Sequence, residues 1–349
     1  MERIVIRSSN WLGDAVMSVP AVRAIKLGHP GAHLAVLTPE KIADVWKLVA
    51  EVDEVIAFPQ ATGAGMKWKI ARMLDVFAVA QLVRGSGFDT AVIFPNSLRT
   101  GLEMWLARIP RRVGYPGHAP RSLLLNQVLT TGKRVHASAG PAVHQVHHYL
   151  ALAKFVGGKV TTGSTAGLLE PAAKKAGLPE SPGRIAICAG AEYGPAKRWL
   201  PERYAEVVKQ FSDSMGCRWQ LVGTAKDRAV AENIASLAGN PPNVENLCGQ
   251  TSLAELITIL RENHLLLTND TGTMHLAALL GVPTVAIFGS TEPALTGPLG
   301  SGHTVLRKRV GCSPCFLREC PIDFRCMKAV ESAEVIAAIR AQLCAPSTK

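Results

Sequence analysis

The sequence predicts an α/β protein of two doubly wound, Rossmann-like domains, each built on a parallel sheet. Three observations lead there. Short β-type runs alternate with helix-length amphipathic stretches through the first half. The same alternation restarts in the second half after a stretch rich in Gly, Pro, Ala and Lys. The 349 residues are enough for two domains of ordinary size, each with its own core.

The elements follow in order. Ile4-Val-Ile6 is a strand, Ala15 to about Leu27 a helix, Leu34-Ala-Val-Leu37 a strand and Ile42 to Val49 a helix. Glu54-Val-Ile-Ala-Phe58 and Ala91-Val-Ile-Phe94 are further strands. Strands separated by helices of this length imply right-handed βαβ units. Glu170-Pro171 and Pro179-Glu-Ser-Pro182 break the pattern and mark an interdomain connection over 166–183, which bounds a first domain at 1–165 and a second at 184–330. The second domain runs through Arg184-Ile-Ala-Ile-Cys188, a helix from Pro201 to Met215, Trp219-Gln-Leu-Val222, a helix after Lys226, Leu265 to Leu267, and Thr284-Val-Ala-Ile-Phe288. A final helix in 331–349 is expected to pack back on the first domain. Ligands bind at the carboxyl ends of parallel strands, so the two domains are expected to face each other across a shared cleft.

Composition narrows the partner. The formal charge is +11, from 38 Lys and Arg against 27 acids, which favours an anionic ligand or surface. Aromatic content of 5%, with no basic stretch interleaved with stacking residues, weighs against nucleic acid. No apolar stretch is long enough to span a membrane, and the N-terminus lacks a signal-peptide pattern, so a cytoplasmic location is expected.

The chemistry-bearing residues lie in loops that follow strands. Leu265-Leu-Leu-Thr-Asn-Asp270-Thr271-Gly272-Thr-Met-His275 reads as a buried strand, a turn and a helix N-terminus, a natural seat for phosphate. Taken alone, such a turn is more often an ordinary cap. Ser8-Ser-Asn10-Trp11-Leu-Gly-Asp14 follows the first strand, and Asp14 reads either as an acid favoured by the helix dipole or as a general base. Cys188-Ala-Gly190-Ala-Glu192-Tyr-Gly194-Pro-Ala-Lys197-Arg198-Trp199 carries a lysine able to neutralise a leaving diphosphate, or simply a solvated Lys-Arg pair. Asp227, after Val222-Gly223-Thr-Ala-Lys226, either binds ribose hydroxyls or caps the next helix. Phe288-Gly-Ser-Thr-Glu-Pro293 adds hydroxyls suited to a sugar or phosphate. There is no Gly-x₄-Gly-Lys-Ser/Thr and no Gly-x-Gly-x-x-Gly, so P-loop and dinucleotide readings fall.

Together with Phe94-Pro-Asn-Ser-Leu-Arg99 and Ile109-Pro-Arg-Arg-Val-Gly-Tyr115, these loops resemble glycosyltransferase family 9, the ADP-heptose heptosyltransferases of lipopolysaccharide core synthesis. Gly190 to Trp199 and Thr268 to His275 are most similar to the branch that adds the second heptose. The resemblance covers nearly the whole chain. It implies a GT-B fold, an acceptor-binding first domain and a donor-binding second domain. It makes Asp14 the base for an inverting transfer, with Glu192 as a rival in the donor loop. It places Lys197, Thr271 and Gly272 on the diphosphate, Asp270 and His275 near the donor sugar or phosphate, Asp227 on the ribose and Thr251 on the adenine side. Asn10, Trp11, Arg99 and Arg121 become acceptor contacts, and Arg108, Arg111 and Arg112 are further expected acceptor contacts of that domain. The implied partners are ADP-heptose, a heptosyl-Kdo-lipid A acceptor and the inner face of the cytoplasmic membrane. No cofactor is required for catalysis, because a helix N-terminus and a lysine can stabilise the leaving group without a divalent ion. Competing readings are transfer of the first or a later heptose, a sugar-nucleotide epimerase of the same architecture, and a non-catalytic binding module.

Cys312-Ser-Pro-Cys315, Cys320 and Cys326 depart from the pattern of the better-known members of that branch. Their spacing reads as structural zinc or, slightly favoured, as four reduced thiols shaping a loop. His144-Gln-Val-His147-His148 also resembles a metal run, with packing or an acceptor contact as the favoured reading.

Overall fold

The computed structural model describes residues 1–60, 65–117, 119–130, 142–160 and 183–344. The chain divides into two compact units, Met1–Thr162 and Gly163–Lys349. Of the connection expected over 166–183, residues 166–182 lie outside the described residues.

The first unit contains β1 (Arg3–Arg7), α1 (Leu12–Gly28), β2 (His33–Pro39), α2 (Ala43–Trp46), β3 (Glu54–Phe58), α3 (Gly65–Val83), β4 (Thr90–Ile93), α4 (Leu98–Leu106), β5 (Arg111–Gly114), α5 (Ala119–Ser122), β6 (Gln127–Val128) and α6 (Val146–Phe155). The second contains β7 (Arg184–Cys188), α7 (Pro201–Met215), β8 (Arg218–Leu221), α8 (Arg228–Leu237), β9 (Val244–Asn246), α9 (Leu253–Glu262), β10 (Leu265–Asn269), α10 (Gly272–Leu279), β11 (Thr284–Phe288), α11 (Pro293–Thr296), β12 (His303–Arg307), α12 (Arg325–Lys328) and α13 (Ser332–Cys344).

Among the described residues each unit holds one six-stranded parallel sheet. Their orders are β3-β2-β1-β4-β5-β6 and β9-β8-β7-β10-β11-β12, the same topology twice. The order reverses between β1 and β4 and again between β7 and β10, so each unit has one switch point where the connections diverge above and below the sheet. β10 and β11 are buried along their whole length, as expected of strands covered on both faces.

Three elements differ from the sequence reading. α1 begins at Leu12, so Asp14 sits inside its first turn rather than ahead of it. β10 runs on to Asn269, because parallel pairing to β7 and β11 continues past the leucines. The final helix is the third. α13 packs against α7, β10 and β11, and Val335, Ile339 and Leu343 enter the core of the second unit, which corrects the expected return to the first domain. The Trp199 indole N–H fixes this terminus by donating to the Val330 carbonyl at 3.0 Å.

The first unit contains a buried ion network. The Arg7 guanidinium, fully buried at the end of β1, donates through Nε to Glu103 at 2.6 Å. Arg99 holds the other Glu103 oxygen at 2.9 Å, and Arg7 also lies over the Phe58 ring. Two charges out of water are stable only as a pair. Glu103→Gln should therefore lower the unfolding free energy by about 3–5 kcal/mol, read as a lower denaturant midpoint. The double variant Arg7→Met/Glu103→Leu should recover most of that loss.

Candidate active site

In the second unit the site is organised by the Asn269 side chain at the carboxyl end of β10. Its carbonyl oxygen accepts from the Trp199 backbone N–H at 3.0 Å and the Tyr204 hydroxyl at 3.0 Å. Its amide donates to the carbonyls of Ala189 at 2.7 Å and Gly190 at 3.3 Å. All four hydrogen-bonding positions of the amide are matched, and the loop after β7 is thereby pinned at both ends. The fully buried Tyr204 phenol is pushed well above its usual pKa by desolvation and stays a donor.

That pinned loop carries Lys197. Its ammonium donates to Asp270 at 2.6 Å, and the Thr291 hydroxyl donates to the same carboxylate oxygen at 2.7 Å. Lys197 also lies 4.9 Å from the centre of the Tyr193 ring, with Arg318 5.0 Å from that centre. One residue beyond Asp270, Thr271 caps α10 by accepting from the Met274 N–H, so the Gly272 end of the helix opens beside the lysine. Lys197, Asp270, Thr271 and Gly272 thus come together as the sequence suggested. Sequence reasoning did not single out Thr291 as the hydroxyl on Asp270, nor Asn269. His275 is buried in the first turns of α10, and Glu192 is exposed on the β7 loop.

The Asp227 carboxylate does not cap α8; it closes a capping box with Thr224 over the short turn before that helix. Its Oδ2 accepts from the Thr224 N–H at 3.0 Å and the Thr224 hydroxyl at 2.7 Å, while Arg198 reaches Oδ1 at 3.4 Å. It also sits against the β7 loop: a Cβ on Gly190 would lie 2.3 Å from its carboxyl atoms, so only glycine fits there. Thr251 precedes the helix it was expected to start. Ser252 is the N-cap of α9, in a reciprocal capping box with Glu255.

In the first unit Asp14 stands at the β1/β4 switch point in the positive end of α1. The Tyr149 phenol on α6 donates to its Oδ1 at 2.8 Å. Tyr149 is fully buried beside Phe94, and its pKa is raised well above the usual value by burial and then by the Asp14 charge, so it remains a proton donor in this bond. Nothing in the sequence linked these two residues, which stand 135 positions apart. His148 stacks on Tyr115 with ring centres 3.7 Å apart, and burial lowers its pKa to about 4. His148 therefore serves packing, His144 is buried, and His147 is exposed. Asn10 accepts from Arg7 at 3.2 Å, and Trp11 stays exposed with the Lys41 ammonium near its ring.

Two expected acceptor contacts are corrected. Arg121 is fully buried and donates to the carbonyls of Tyr115 and Ser97 and to the Thr100 hydroxyl, which makes it the brace of the loop after β5. Arg99 is paired with Glu103 and Asp75. The cysteine run also departs from a zinc centre. Among the described residues no three His, Cys, Asp or Glu side chains are placed to hold a metal ion. Cys326 turns into the core, Cys312 is exposed, and the Cys320 sulfur accepts from the Phe324 N–H at 3.3 Å. The segment instead walls the lysine loop. Tyr193 donates to the Phe316 carbonyl at 2.8 Å and Ala196 N–H to Arg318 at 3.0 Å, and a Cβ on Gly194 would meet that Arg318 carbonyl at 2.3 Å.

A cation beside a capped helix N-terminus at one switch point, and an oriented carboxylate at another, are the parts a sugar-nucleotide transferase needs. The model of glycosyltransferase family 9 (heptosyltransferase) matches residues 76–324, and the chain belongs to that family. It is a glycosyltransferase with the GT-B fold. It is 31% identical over 326 residues to lipopolysaccharide heptosyltransferase 2 of Escherichia coli K12, covering 88% of this chain and 89% of the relative. Lipooligosaccharide heptosyltransferase 2 of Haemophilus influenzae is 29% identical, with 87% and 88% covered. The solved structure of E. coli ADP-heptose lps heptosyltransferase II superposes with a TM-score of 0.77 at 26% identity, over 98% of both chains.

Asn269 is the test of this architecture. Asn269→Ala leaves buried partners at Trp199, Tyr204 and Ala189 unmatched, each at a cost of about 1–3 kcal/mol. Chemical unfolding should shift accordingly, and hydrogen exchange at the Trp199 amide should accelerate.

Proposed function

We propose that the chain transfers a heptose from ADP-heptose to the first heptose of the lipopolysaccharide inner core, with inversion, at the inner face of the cytoplasmic membrane. The observation that carries this reading is Lys197 held at 2.6 Å by Asp270 beside the Thr271-capped start of α10. Backbone N–H groups at a helix N-terminus and an adjacent ammonium suit a departing diphosphate. The printed names of the heptosyltransferase 2 relatives support the donor and acceptor classes.

In the proposed reaction an acceptor hydroxyl oxygen attacks the anomeric carbon as the bond from that carbon to the diphosphate oxygen breaks. Asp14 takes the hydroxyl proton, and the charge arriving on ADP is met by Lys197 and the α10 N–H groups. Asp270 fixes the ammonium before substrate arrives, so little reorganisation is needed at the moment of bond breaking. Tyr149 does the same for Asp14: its hydrogen bond fixes the rotation of the carboxylate. Asp227, occupied by Thr224 and Arg198, supports the ribose side of the loop as much as it offers a ligand oxygen.

Three outcomes test this. With ADP-heptose and a heptosyl-Kdo acceptor, ADP release should require the acceptor; acceptor-independent turnover would instead indicate an epimerase or hydrolase. Asp14→Asn should keep ADP affinity while losing roughly 10²–10⁴-fold in turnover. Tyr149→Phe should leave ADP affinity unchanged and lower turnover, because the phenol that orients the Asp14 carboxylate is gone. Wild-type turnover in Tyr149→Phe would remove the phenol from the mechanism.

A further inference from the structure

α3 and α4 cover one face of the first sheet. Val79, Ala80 and Val83 of α3 and Met104 of α4 point into the core, and Arg99 bridges the two helices by reaching Asp75 at 3.6 Å. The opposite sides of these helices are apolar too. Leu74 and Phe77 on α3 and Leu98 and Trp105 on α4 are each about half exposed, at 59%, 52%, 47% and 48%. Their spacings, three and seven residues, put each pair on one outward stripe. Beside Trp105 opens a pocket of about 540 Å³ whose wall includes Arg84, Arg108, Arg112, Ile109 and Pro110.

We propose that this outer face of α3 and α4 docks on an anionic phospholipid surface, with Phe77 and Trp105 at headgroup depth and Arg84 and Arg108 on lipid phosphates. An exposed aromatic flanked by arginines matches the water–lipid boundary, where the ring is half wetted and the cation meets phosphate. The charges of the face choose the occupant. Its acids, Asp75 and Glu103, are already held by arginines, so the remaining charge on the rim is positive. A second copy of the chain would set those arginines against their own equivalents; an anionic bilayer complements them. α4 starts at the carboxyl end of β4, beside the β1/β4 switch point.

The inference rests on the proposed membrane-borne acceptor for its purpose, yet it is measured without turnover. The full chain is sedimented with vesicles of phosphatidylglycerol and phosphatidylethanolamine, and with phosphatidylcholine vesicles as the neutral comparison. Binding to the anionic vesicles should be stronger and should fall with added salt. Arg84→Glu should weaken it by about tenfold or more. Phe77→Ser/Trp105→Ser should weaken it at any salt concentration, and both variants should keep wild-type circular dichroism and wild-type turnover on a delipidated, water-soluble acceptor. Equal vesicle binding by wild type and both variants would overturn the proposal. So would a wild-type dimer, seen by light scattering without lipid, that either variant dissociates, since that would give the face to a second copy. Absent turnover of the wild type on the soluble acceptor would instead count against the transferase reading and leave the docking result standing.

Discussion

The second unit depends on one amide. Asn269 closes β10 and, through four hydrogen bonds, holds the loop after β7 by Ala189 and Gly190 at its start and by Trp199 at its end. A loop tied at both ends by a buried group has few conformations to lose, and Lys197 lies on that loop. The ammonium therefore meets Asp270, and through it the start of α10, without being steered there by ligand. The parallel sheet makes this possible: β7 and β10 are neighbours in the sheet, so the end of one strand is within side-chain reach of the loop leaving the other.

The first unit solves the corresponding problem differently. Asp14 lies in the first turn of α1, where the helix dipole favours a charged carboxylate, and the phenol that orients it comes from α6. The buried Arg7–Glu103 pair stands under the loop that leads to Asp14, with Asn10 bonded to the same guanidinium. In both units a buried polar side chain holds a post-strand loop by hydrogen bonds, and the chemistry-bearing side chain stands on or just after that loop.

Much of this was legible in the sequence, and the limits have physical reasons. The central strands were readable because burial on both faces demands unbroken apolar runs, as in Ile4-Val-Ile6 and Thr284-Val-Ala-Ile-Phe288. The short strands at or next to the sheet edges, β5, β6, β9 and β12, were not, because Arg111-Arg-Val-Gly114 or Val244-Glu-Asn246 is only partly buried and has no pattern long enough to register. Lys197, Asp270 and Thr271 were found because each follows a strand. Asn269 and Tyr149 were missed because their roles are set by partners far away in the chain, and an Asn before Asp reads locally as a turn. Arg99 and Arg121 show the reverse error: residue type announces a cation, but only packing tells whether it faces a ligand or braces a loop.

The wall around the lysine loop has a consequence for how the protein is made. Tyr193 and Phe316 are joined by a hydrogen bond although they stand 123 positions apart, and Gly194 packs against the carbonyl of Arg318. On a ribosome the strand that leads into this loop emerges early and must wait for β10, and then for the cysteine-bearing segment, before its last contacts exist. The enclosure of the lysine is thus completed only once Arg318 has been made, and a nascent chain that stops short of it carries the lysine without the contacts that fix its neighbours.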